Sequence, residues 1–80
     1  MDDEEIVVRI GELADEERHL EQSLTGGGGS DAERDRLRGI EVALDQCWDL
    51  LRQRRARRSA GQDPDDASVR PASTVERYQQ

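Results

Sequence analysis

Few side chains in this 80-residue sequence have the chemistry for catalysis or metal binding. The single histidine, His19, follows Glu12 and Glu16 at spacings that place all three on one face of a helix. A Glu-x-x-His metal site draws several inward copies from facing helices, so a charged face in contact with solvent explains these residues better. The sequence contains no Ser-His-Asp set and no cofactor fingerprint. We therefore predict no catalytic residues, no metal and no cofactor.

The single cysteine and the single tryptophan are neighbours. Cys47 belongs to an apolar stripe without a local base, which favours a small buried hydrophobic residue over a nucleophile. Trp48 could stack on a base or another ligand, but packing in a core or interface is the commoner role of an indole.

Five arginines between positions 52 and 58 have the strongest electrostatic reach in the chain. They are Arg52, Arg54, Arg55, Arg57 and Arg58. Taken alone, such a cluster suggests contact with phosphate or RNA. We expect instead that the acidic N-terminus neutralises it, while it also complements the negative end of a helix dipole.

Composition limits the size of the core. The chain is 32% hydrophobic and 39% charged and contains no Phe, so one small domain is expected and oligomerisation is its most plausible support. A net charge of −7 disfavours generic binding to nucleic acid or an anionic membrane. A lone thiol, with no signal peptide and no apolar run that could cross a bilayer, leads us to expect a cytoplasmic protein.

The strongest pattern predicts a helix over residues 31–59. Its apolar residues recur at spacings of three and four, as in a coiled coil: Leu37, Ile40, Leu44, Cys47 and Leu51. Ser30 and Glu33 have the spacing of a capping box at the start. Arginines fill the last turns, and Gly61 and Pro64 follow.

A second amphipathic helix is predicted over residues 3–24, with Asp2 or Asp3 as its N-cap. Its stripe is formed by Ile6, Ile10, Leu13, Leu20 and Leu24. Glu17 interrupts this stripe, and we expect it to lie beside Arg36, Arg38 or His19 as a partly solvated pair.

The glycine-rich loop 25–30 joins the two helices, a run that a natural turn and an inserted linker would both explain. So short a connection predicts an all-α fold, an antiparallel two-helix hairpin over residues 1–59. In that register Ile6 faces Leu51 and Ile10 faces Cys47. The acidic residues 2–5 then lie beside the arginines at 54–58.

Apolar side chains remain outside this seam, among them Val7, Ala14, Trp48 and Leu50. Two hairpins packed as a four-helix bundle would cover them, so we expect a homodimer. Residues 60–80 form a polar, turn-rich tail with a possible short helix over 72–79, and the sequence leaves open whether this tail is mobile or weakly docked.

These observations favour a non-enzymatic protein-interaction module, a small cytosolic adaptor or regulator that acts through apolar helix faces. The alternative is RNA or nucleoprotein contact through Arg52–Arg58. The candidate interaction residues are Val7, Trp48, Leu50, Leu51, Arg54, Arg55, Arg58 and Tyr78.

One segment also carries a family resemblance. The run LDQCWDLLRQRRARR over Leu44–Arg58, the Asp63-Pro64-Asp65 and Val69-Arg70-Pro71 elements, and the ending Val75-Glu76 with Tyr78 are similar to the actinobacterial domain-of-unknown-function family 2630. The resemblance spans nearly the whole chain. It implies a natural, short, cytosolic bacterial protein whose tail contributes to its role, and it implies no particular activity.

Overall fold

The computed structural model describes residues 1–76 and contains two long helices. Helix α1 spans Asp3–Thr25 and helix α2 spans Asp31–Ser59. A 3-10 turn at Pro64–Asp66 and a single-turn helix α3 at Ala72–Val75 follow. No strand occurs in this range, which confirms the predicted all-α class. Neither long helix is apolar enough over a sufficient length to cross a membrane.

Local rules explain where the helices begin. Asp2 is the N-cap of α1, and it exchanges two hydrogen bonds with Glu5: each backbone N–H donates to the other residue's side-chain oxygen. Ser30 and Glu33 form the same reciprocal box at the start of α2, as their spacing predicts. Both helix starts are therefore fixed by side chains within one turn.

Glycines at positive φ terminate the helices. Gly27, at φ +79°, lies in the loop that follows α1. Gly61, at φ +74°, lies after α2, where the N–H of Gln62 donates to the Arg57 carbonyl and that of Gly61 donates to the Arg58 carbonyl. This is a Schellman motif, which satisfies carbonyls at the helix end and turns the chain back.

The two long helices pack antiparallel. Asp3 binds Arg54 at one end, Glu16 binds Arg36 further along, and the Ser23 hydroxyl donates to Glu33 near the loop. The core cluster joins Ile6 to Leu50 and Leu51, with Ile10, Cys47 and Ala67 packed against it. Ile6 thus meets Leu51, as the antiparallel register requires.

The C-terminal segment, residues 62–76, packs along α2. Val75 is only 1% exposed, and Val69 lines a crevice with Leu50 and Ala43. Leu50 is therefore buried inside the single chain, contrary to the expectation that it lies on a surface left for a second hairpin. The tail covers it because the Schellman turn directs the chain back over that side of α2. Residues 77–80, including most of the second half of the predicted 72–79 helix, lie outside the described range.

Candidate interaction surfaces

A buried carboxylate holds the C-terminal segment against α2. Asp49 has no exposed surface, and its two oxygens accept from Arg70 Nε at 2.8 Å and Nη2 at 2.6 Å. Gln53 Nε2 donates to the same carboxylate at 2.9 Å. This is the two-pronged geometry in which a guanidinium binds a carboxylate most strongly. The Arg70 guanidinium, with help from Gln53, lowers the pKa of Asp49 against the opposing effect of burial.

Two glutamines of α2 bind the backbone of the same segment. Gln46 Nε2 donates to the Arg70 carbonyl at 3.2 Å, and Gln53 Nε2 donates to the Ser68 carbonyl at 2.7 Å. The extended segment 67–71 has no helix of its own to satisfy its carbonyls, so these side chains replace water there. The arrangement therefore positions a chain segment.

Arg54 connects three parts of the chain at the open end of the hairpin. It is 6% exposed and donates to Asp3 at 2.5 Å, to Asp65 at 3.0 Å and to the Pro64 carbonyl at 3.2 Å. Arg58 binds Asp3 from the next turn at 2.6 Å and 3.2 Å. Hydrogen bonds from Arg58 and then Arg54 lower the pKa of Asp3 to about 2.

The N-terminal acids contribute unequally to this contact. The expected meeting of residues 2–5 with the arginines rests on Asp3, because the side chains of Asp2 and Glu5 are engaged in the capping box. Asp65, from the turn after α2, supplies the second acid that sequence reasoning did not assign.

A different side of α2 stays uncovered by residues 1–76, and we call it the open face. Trp48 is 49% exposed there and shares a groove with Leu44 and three carboxylates. The lining residues are Glu17, Glu41, Leu44, Asp45 and Trp48. Val7 is 57% exposed, and Ala14 and Glu17 follow it along α1 by seven and ten positions. This helical spacing places Val7 and Ala14 on the same side as Glu17.

Glu17 lacks the basic neighbours that we expected for it. Arg36 instead binds Glu16 through two bonds of 2.6 Å and 2.8 Å, and Arg38 binds Asp35 within its own helix. The reason is geometric, since successive residues of a helix are rotated by about 100°. Glu16 and Glu17 therefore point in different directions, and it is Glu16 that faces Arg36. Burial raises the pKa of Glu17, and the nearby charges of Glu21, Glu41 and Asp45 raise it further.

The candidate interaction residues divide into four groups. Leu50, Leu51 and Arg54 are buried within the chain. Val7, Trp48 and Arg55 are exposed, whereas Arg58 is exposed but bound to Asp3. Tyr78 lies outside the described residues. The structure thus leaves Val7, Trp48 and Arg55 as the accessible members of the set.

Sequence reasoning missed the Asp49 site. Its signal was present, because Gln46, Asp49 and Gln53 recur at spacings of three and four, which is a polar stripe beside the apolar one. Amides and a carboxylate on such a stripe suit a backbone that has no hydrogen-bond partners of its own. The position of Arg70, 21 residues later, carries no periodic signal.

Cys47 and His19, which were considered for catalysis and metal binding, make contacts within the fold. Cys47 packs against the Ile6 cluster, and burial raises the pKa of its thiol, which keeps it protonated at neutral pH. His19 Nδ1 lies 2.8 Å from the Asp15 carbonyl, and Glu16 is bound by Arg36. Within residues 1–76, no three His, Cys, Asp or Glu side chains converge in a way that could hold a metal ion.

The fold and these contacts define a class: a small helical hairpin whose polar C-terminal segment is bound across its second helix. The chain belongs to the family described as Protein of unknown function (DUF2630), whose model matches residues 2–80, and this confirms the resemblance. Uncharacterized proteins of Mycobacterium bovis and Mycobacterium tuberculosis are each 53% identical over 77 residues, covering 95% of this chain and 88% of the relative. No solved structure matches the chain.

Proposed function

We propose that this chain is a non-enzymatic protein-interaction module of the cytoplasm, an adaptor or regulator that binds another protein through the open face. The observation that carries the proposal is the half-exposed indole of Trp48 in a groove that residues 1–76 do not cover. Tryptophan is among the residues most enriched at interface hot spots, because one flat side chain buries a large area with little loss of rotamer freedom.

The surroundings of Trp48 support a protein partner. Val7 and Leu44 extend the apolar surface on either helix, while Glu17, Glu41 and Asp45 form a polar margin. An apolar centre with a charged rim is the usual anatomy of a binding surface between proteins. The charged rim would also set specificity, since a partner must supply complementary charge to it.

RNA contact through Arg52–Arg58 receives less support from the geometry. Arg54 is buried and bound to two carboxylates, and Arg58 shares one of them. Phosphate would have to displace these acids before it could bind the two guanidiniums. Arg55 is exposed and lies seven residues after Trp48, which places it on the side of the open face, where it suits an acidic side chain of a protein equally well.

Site-specific photocrosslinking tests the proposal with an internal control. Val7 and Val8 are adjacent and equally exposed, at 57% and 58%, but only Val7 lies on the open face, whereas Val8 lines an outer groove with Met1 and Glu12. A photoreactive residue at position 7, introduced in the bacterial host, should give adducts heavier than the chain, and the same residue at position 8 should not. Trp48→Ala should remove the position 7 adducts. Equal adduct formation at both positions would contradict the proposed face.

A further inference from the structure

Five residues of α2 form a second stripe along the side of the helix that contains Trp48. Their spacing is four, three, four and three, so they lie on one side of the helix. In order they are Glu41, Asp45, Trp48, Arg52 and Arg55. We call this set the Trp48 stripe. It has two acids on its N-terminal side, two arginines on its C-terminal side and the half-exposed indole at its centre.

This order of charges is complementary to itself when reversed. Glu41 and Arg55 lie seven residues before and after Trp48, and Asp45 and Arg52 lie three before and four after. An antiparallel copy of α2, related by a two-fold axis at Trp48, therefore sets Glu41 opposite Arg55 and places Asp45 within one residue of Arg52. Two-fold interfaces have this property in general, because residue i meets residue j wherever j meets i.

Three of these charges have no ion pair with any of residues 1–76. Among residues 1–76, most arginines bind a nearby carboxylate, as Arg36, Arg38, Arg54 and Arg58 do. Glu41, Asp45 and Arg55 make no such contact. Burial raises the pKa of Glu17 beside them, and the charges of Glu41 and Asp45 raise it further, so an incoming cation would relieve a repulsion that already exists.

We propose that the Trp48 stripe binds a second copy of this chain, antiparallel, with the two indoles on the symmetry axis and Glu41 of each copy beside Arg55 of the other. This inference rests on the proposed function, because it names the partner of the open face. A parallel pairing would set Glu41 against Glu41 and Arg55 against Arg55, which charge repulsion opposes. The antiparallel pairing also continues the hairpin into the four-helix arrangement that amphipathic helices favour.

Charge reversal at two positions tests both the dimer and its register. Glu41 and Arg55 are 14 residues apart on one helix, roughly 21 Å, which exceeds the Debye length of about 8 Å at physiological salt. Within one chain these two charges scarcely interact. Any coupling between them in self-association must therefore arise between two copies.

Sedimentation equilibrium at tens of micromolar should show two copies of the full chain in complex. Glu41→Arg and Arg55→Glu should each weaken dimerisation roughly tenfold or more, because each creates two symmetry-related repulsions. The double variant Glu41→Arg with Arg55→Glu should regain most of the lost affinity, since the pair is reversed but still complementary. Circular dichroism of each variant checks that the exposed substitutions leave the helices intact.

Glu12→Arg provides the matched control. Glu12 is an exposed acid in the outer groove of α1, and its replacement changes the net charge as Glu41→Arg does. It should leave dimerisation unchanged. A parent chain that stays monomeric throughout overturns the dimer, while the photocrosslinks to other proteins can still support the proposed function. A dimer whose affinity the double variant fails to restore overturns the Trp48-centred register.

Discussion

Asp45 and Asp49 lie one turn apart on α2, yet the chain uses their charges in contrasting ways. Asp49 is fully buried and accepts hydrogen bonds from Arg70 and Gln53. Asp45 lines the open groove beside Trp48 and makes no ion pair with residues 1–76. The covered side of α2 thus binds a segment of its own chain, and the open face carries charges that remain available to another chain.

The contrast shows that burial alone does not decide the protonation of a carboxyl group. Burial opposes ionisation of both Asp49 and Glu17. Donors from Arg70 and Gln53 outweigh it at Asp49, where the pKa is lowered, whereas neighbouring acids reinforce it at Glu17, where the pKa is raised. Hydrogen-bond donors thus hold the pKa of Asp49 low, whereas burial and neighbouring acids hold the pKa of Glu17 high.

The largest expected difference between the two sides concerns packing. Leu50 is 6% exposed beneath the C-terminal segment, so Leu50→Ala should lower the free energy of unfolding by about 2–5 kcal/mol. Leu44 borders the open groove and is only partly buried, so Leu44→Ala should cost less than half as much. Urea unfolding followed by circular dichroism measures both. Equal costs would mean that the tail adds little to the burial of Leu50.

The second-largest loss of stability is expected from breaking the Arg70–Asp49 ion pair on the covered side. Arg70→Ala leaves the buried Asp49 carboxylate without its main donor and should cost about 2–3 kcal/mol, because Gln53 still donates to it. Arg55→Ala on the open face is the matched control, with an expected change within about 0.5 kcal/mol for a single chain. Chemical denaturation at a concentration below dimerisation compares them. Should both arginines prove equally dispensable, the two sides of α2 do not differ as described.

Unfolding measured at a series of acidic pH values tests the contribution of Asp3, which the open face does not share. The folded pKa of Asp3, about 2, lies below the ordinary value of 3.8, so the unfolded chain binds the proton more readily. The stability that Asp3 contributes is therefore fully present above about pH 4 and is lost as the pH falls towards 2. Asp3→Asn should destabilise the chain at pH 7, by progressively less below pH 4. Glu4→Gln, in the same turn and exposed, should leave the pH profile unchanged.

The smallest effect has the opposite sign. The folded pKa of Glu17 lies above its ordinary value of 4.5. The free energy of unfolding therefore falls as the pH rises from the ordinary pKa through the folded one, and the charged form is unfavourable at pH 7. Glu17→Gln should therefore stabilise the single chain at pH 7, on the order of 0.5 kcal/mol, with no gain at pH 3. Thermal melts at the two pH values test this. Glu12→Gln on the outer groove serves as the control and should show no such pH-dependent gain.

The parts of the fold that were predictable depend on short-range rules. Capping boxes involve residues three apart, and the apolar spacing of each helix sets its buried side, so Ser30 with Glu33 and Ile6 with Leu51 followed from the sequence. The antiparallel arrangement followed from the shortness of the loop. Arg54 beside the acidic N-terminus followed from continuing that register to the end of the hairpin.

The covered side and the environment of Glu17 could not be obtained in this way. Arg70 reaches Asp49 through a segment without periodicity, so no spacing rule joins them. Whether Glu16 or Glu17 meets Arg36 depends on a helix rotation of about 100°, which the apolar stripe fixes only broadly. The sequence identified both Trp48 and Leu50 as interface candidates. Only the path of the tail shows that Leu50 is covered and Trp48 is not.

The junction at Arg54 has a consequence for how the molecule opens. One guanidinium ties together the first turn of α1, the last turns of α2 and the turn at Pro64. None of these three segments can unfold locally without breaking a contact that it shares with the others. We therefore expect their amide hydrogens to exchange with solvent at similar rates, as one cooperative unit. At the far end, Gly26–Gly29 and the exposed contacts beside them impose no such constraint. Local unfolding should therefore begin at the closed loop of the hairpin and spare the end where Asp3, Arg54 and Pro64 meet.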